Sequence, residues 1–98
     1  MAHNKIEEAL RRIQSQKGVV GIIVTNSDGV TIKTNMDNET AIRYAGLTTQ
    51  MIEKSRNVIR QIDISNDLTF IRIHSKRDEI MIAPDKNYII TAIQKVDA

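Results

Sequence analysis

The chain has no cysteine, which removes disulfide frameworks, thiolate nucleophiles and sulfur-ligated metals together. It has no tryptophan, two tyrosines and one phenylalanine, too few rings to build a base-stacking platform. Lys and Arg number 14 against 12 Asp and Glu, and that slight excess is spread along the chain, so nucleic acid is not an expected partner. No run approaches the roughly 20 apolar residues of a membrane helix. The opening Met1-Ala2-His3-Asn4-Lys5-Ile6 lacks the apolar core of a secretory leader. Together these readings lead us to expect a cytoplasmic chain without membrane insertion. The two histidines, His3 and His74, have no second His, Cys or spaced carboxylate with which to hold a metal. The serines at 15, 27, 55, 65 and 75 carry no nucleophile signature. The expectation is therefore a non-enzyme: no catalytic residue, no metal and no cofactor.

What is present is an ordinary globular composition, 41% hydrophobic and 27% charged over 98 residues, which suits a single domain spanning 1–98. The last third reads as a meander of three isoleucine-rich strands, Leu68–Ile73, Ile80–Ala83 and Tyr88–Ile93. β-branched residues pack well on a pleated surface. Turns fall at Ser75–Asp78 and at Ala83–Lys86, where Pro84 presets the backbone angle of a type I turn. Ahead of the meander, Val19–Thr25 is apolar on both faces, as in a strand covered from two sides. Asn26–Gly29 is a turn, and Val30–Thr34 alternates as a half-exposed strand.

Two helices complete the order α-β-β-α-β-β-β. Asn4–Gln14 places Ile6, Ala9, Leu10 and Ile13 on one face, with Asn4 and Glu7 placed for a capping box. Thr40–Ile62 is longer and follows a cap at Asp37 or Asn38. One stripe on it runs Tyr44, Thr48, Met51, Ser55, Val58, Ile62; a second runs Ala41, Ala45, Ile52, Ile59, flanked by Leu47. That apolar surface is wider than packing on one sheet requires. One stripe is expected on the sheet and the other on a partner helix.

The segments Arg12–Val19 and Gly21–Val24, then Met36-Asp37-Asn38, and above all Asn66–Ile73 continued by Glu79–Lys86, resemble the roadblock-type light chains of dynein in one register along nearly the whole chain. The entry to the long helix, at Glu39, Ala41 and Ile42, resembles them less. The resemblance implies an α/β (α+β) roadblock-like fold. In it a five-stranded, mostly antiparallel sheet runs in the order second, first, fifth, fourth, third strand, with the long helix on one face and the short helix on the other. It implies a non-catalytic accessory subunit that forms a homodimer and binds the dynein intermediate chain in microtubule-based transport. The wider family implies an alternative, a scaffold or regulator of a small GTPase.

Strand 3 then lies at a sheet edge with nothing to blunt it except Arg72 and His74, and such an edge invites pairing. The expected homodimer contact comprises Tyr44, Thr48, Met51, Ser55, Val58, Leu68, Phe70 and Arg72. The partner is expected on the sheet face opposite the long helix, at Ile6, Leu10 and Ile13 with Ile71 and Ile73, or else with Leu68 and Phe70.

Overall fold

The computed structural model describes residue 8 and residues 10–96. The proposed cap at Asn4, and Ile6, Glu7 and Ala9, lie outside the described residues. The remainder of the short helix, α1, is helical at residue 8 and residues 10–14. It is followed by β1 (Val19–Asn26), β2 (Thr31–Thr34), α2 (Asn38–Ile62), β3 (Ile71–His74), β4 (Asp78–Pro84) and β5 (Tyr88–Lys95). All pairings are antiparallel, and the sheet runs β2-β1-β5-β4-β3. This is the expected architecture and strand order.

Local chemistry explains where the elements begin and end. Asp37 caps α2: its carboxylate accepts from the Thr40 N–H at 3.0 Å, so the helix opens at Asn38, two residues earlier than expected. That hydrogen bond holds the Asp37 carboxyl below its ordinary value. Val30 belongs to the turn, not to β2. Its carbonyl accepts from Asn26 N–H at 2.9 Å, and its own N–H donates to Asn26 Oδ1 at 3.0 Å. Gly29 closes that turn at φ 87°, in the left-handed region that glycine enters without steric cost. Gly21 sits at a bulge between β1 and β5, and a Cβ there would fall 2.5 Å from Met36 Sδ, so close approach accounts for this glycine too.

The register assigns the two faces of the sheet. Facing α2 are Ile23, Ile82, Ile89 and Ile93, packed with Ala41 and Ile52 of the helix. On the other face Ile22, Val24, Tyr88 and Ile90 pack against Leu10 and Ile13 of α1. β1 is thus apolar on both sides because both sides are covered, as its sequence indicated.

β3 is shorter than the sequence suggested, starting at Ile71 instead of Leu68. Two causes are visible. Asp67 Oδ1 accepts from Leu68 N–H at 2.8 Å and from Arg56 Nε at 3.2 Å, tying this stretch to α2. Opposite Thr69, the register Ile71↔Ile82 would bring Pro84, which has no N–H for a ladder.

Candidate interaction surface

α2 presents two stripes about a quarter-turn apart. Ala41, Ala45, Thr48 and Ile52 are buried against the sheet. Leu47, Met51, Val58 and Ile62 lie within about 60° of arc at the 3.6-residue period, and they are 57%, 37%, 57% and 82% exposed. Tyr44 and Ser55, half-buried, mark the margin between the stripes. The stripe read from sequence through Met51, Val58 and Ile62 is therefore left uncovered by the described residues, with its membership revised. Thr48 belongs to the sheet-facing side: it is 4% exposed, and its hydroxyl donates to the Tyr44 carbonyl at 2.8 Å. A residue held in that way has no surface left for a dimer contact. Leu47, read as flanking the other stripe, joins Met51, Val58 and Ile62 instead, and the helical wheel alone contains that signal.

The α2–β3 connector brings further apolar surface to the exterior. Ile64 is 89% and Phe70 49% exposed. Leu68, expected beside Phe70 in the interface, is instead buried in the core with Ile52, Ile82 and Ile89. The connector is braced by Asp67, which receives Arg56 at 3.2 Å and Arg60 at 3.6 Å. The Leu68 N–H, then the two guanidiniums, hold the Asp67 carboxyl below its ordinary value. Beside this connector, β3 pairs with β4 alone and forms one edge of the sheet.

The partner face is also revised. Ile71 and Ile73 pack with Ile59 and Ile80 around the core under α2, so they cannot line the opposite face. The β3 residues there are Arg72, ion-paired to Glu79, and His74, whose Nδ1 lies 3.7 Å from Glu79 Oε2. Leu10 and Ile13 stand on that face, but Leu10 is buried in the core with Ile22 and Val24 and Ile13 is half-buried against it, so they offer a partner less surface than expected; Ile6 lies outside the described residues. Between α1 and β2 on this face is a cleft of about 190 Å³ reached by Arg11 and Lys33, neither of which sequence reasoning had placed in a site.

Among the described residues no three His, Asp or Glu side chains gather as metal ligands, and no helix is long and apolar enough to cross a membrane.

Similar folds occur in solved bacterial proteins. A roadblock domain from Streptomyces avermitilis superposes with a TM-score of 0.78 at 10% identity, covering 85% of this chain and 71% of that one. MglB from Myxococcus xanthus gives 0.69 at 11%, covering 86% and 70%. The gliding protein MglB from Thermus thermophilus gives 0.75 at 7%, covering 91% and 70%. At such identities the likeness concerns the fold. The sequence itself matches the Roadblock/LC7 domain over residues 5–95, and the chain belongs to that family.

Proposed function

We propose that this chain is a non-catalytic binding subunit that acts as a symmetric homodimer. The observation that carries the proposal is the exposed stripe Leu47, Met51, Val58 and Ile62, lying on the same chain as an unpaired β3 edge. A self-complementary two-fold contact would cover both. Tyr44, Ser55, Phe70 and Arg72 flank that contact.

Two partner classes follow from the family. The solved structures most informative here are a bacterial roadblock domain and MglB gliding proteins, and these favour the branch of scaffolds and regulators of small GTPases. The second class, the dynein intermediate chain, rests on the resemblance of Asn66–Ile73 and Glu79–Lys86 to dynein light chains. That reading places the protein on microtubules through the motor. One experiment separates them. Tagged protein is passed over extract of its own cells with GTP or GDP present, and the bound fraction is identified by mass spectrometry. A small GTPase as the dominant stoichiometric partner supports the first class, and an intermediate chain supports the second. A dimer that retains neither, or a protein that stays monomeric at tens of micromolar, defeats the proposal.

A further inference from the structure

The cleft between α1 and β2 has a one-sided chemistry. Its floor is Leu10 and Ile22, both buried. Arg11 stands on the α1 side and Lys33 on the β2 side, both exposed. Neither makes an ion pair among the described residues, where the pairs involve Arg56, Arg60, Arg72, His74 and Lys95.

Asn35 completes the rim. Its Oδ1 accepts from the Ile22 N–H at 2.8 Å, and the exposed amide keeps its nitrogen as a donor. The Thr34 hydroxyl is committed elsewhere, donating to the Ile22 carbonyl at 2.8 Å and accepting from Met36 N–H at 3.0 Å. Among the described residues no carboxylate lines the cleft, and Glu8, three residues before Arg11, is not among its walls.

Cations and an amide donor around an apolar floor are complementary to carboxylates carried next to an apolar side chain. An inorganic anion would leave the floor unused. We propose that this cleft seats an acidic segment of the partner protein, a carboxylate between Lys33 and Arg11 and a neighbouring apolar residue against the aliphatic stems of these two side chains, above Leu10 and Ile22. The inference rests on the reading of the chain as a binding subunit. It moves the partner contact from Ile71 and Ile73 to the β2 side of the sheet.

The test uses the full chain together with the protein that co-purifies with it from extract. Carbodiimide coupling joins a Lys amine to a carboxylate in direct contact with loss of water. Mass spectrometry of the coupled complex is expected to show Lys33 joined to an Asp or Glu of the co-purified protein. At about 0.1 M salt, where surface charges are only partly screened, Arg11→Glu and Lys33→Glu should each reduce the retained partner at least tenfold. Lys33→Arg should keep it. Both charged positions are exposed, and each variant is first required to give a folded dimer by circular dichroism and sedimentation. If the charge-reversed dimers retain the partner at wild-type levels, the inference is wrong while the binding-subunit reading stands. It is equally wrong if Lys33 couples to a carboxylate of its own chain or, in a mixture of ¹⁵N-labelled and unlabelled protein, of a second copy. Wild-type protein that retains no partner overturns both readings.

Discussion

Val58→Asp tests the dimer contact with little interference from the fold of the single chain. Val58 is 57% exposed, and surface changes of that kind usually stay within about 0.5 kcal/mol of stability. Asp and Val also have similar helix propensity. In the dimer the outcome differs. Full burial of an aliphatic side chain is worth about 2 kcal/mol. The exposure left on Leu47, Met51, Val58 and Ile62 then offers roughly 5 kcal/mol per chain and roughly 10 per dimer. Association costs about 4–15 kcal/mol in lost freedom, so in the proposed dimer the stripe would bring association near balance and leave the surplus to the β3 edge and Phe70. Replacing Val58 removes roughly 1 kcal/mol per copy. It also buries a carboxylate near its symmetry mate, at a cost of several kcal/mol per ion. A net loss beyond about 3 kcal/mol is more than a hundredfold in Kd. Sedimentation velocity across a concentration series should show wild-type dimer and a folded Val58→Asp monomer. Asn57→Asp, a neighbouring position off the stripe, should remain dimeric. If Val58→Asp sediments like wild type, α2 does not pair through this stripe.

Three further outcomes follow from the fold. Gly29→Ala puts a Cβ at φ 87° and 2.8 Å from Thr49 Oγ1; the left-handed strain alone costs about 1–2 kcal/mol, so calorimetry should show a Tm lower by at least about 4 °C. Thr91→Val replaces a buried hydroxyl that has no partner among the described residues, and because an unmet polar group is itself a burden of about 1–3 kcal/mol, the variant should be as stable as wild type or more so in urea. A marked loss would mean that the hydroxyl is bonded in solution. The lowered pKa of Asp67 means that its contribution is fully present above the ordinary value of 3.8 and fades as pH falls through the lower folded value. Acid-unfolding curves of Asp67→Asn should therefore converge on wild type at the lowest pH, and an unchanged gap would show that the carboxylate charge is not what matters.

Much of the fold was legible because local signals agreed. Apolar spacing marked both helices, Asp37 offered a cap, and Asn26 with Gly29 closed a hairpin whose two strands pair as expected. β1 read as doubly covered, and the core bears this out. The misplaced residues share a cause, since periodicity shows that a residue is apolar or shares a face but not what covers that face. Thr48 lies within a few tens of degrees of Tyr44 and Met51 on the wheel but as near to Ala41 and Ile52, and it is buried with the latter. Leu68 and Phe70 have the parity of one strand face, but the ties of Asp67 to Arg56 and Arg60 take this stretch out of the ladder and turn Leu68 into the core. The side of the sheet taken by Ile71 and Ile73 was set by their pairing with Ile82 and Ile80, a choice made through β5 and α2. The cleft at Arg11 and Lys33 joins residues far apart in the chain and had no local signature. The sequence by itself thus determined the order and kind of the elements, because those depend on contacts within a few residues, and its pattern along the whole chain determined the family. Which apolar residues are spent on the core and which remain for a partner was decided only by the packing of helix on sheet.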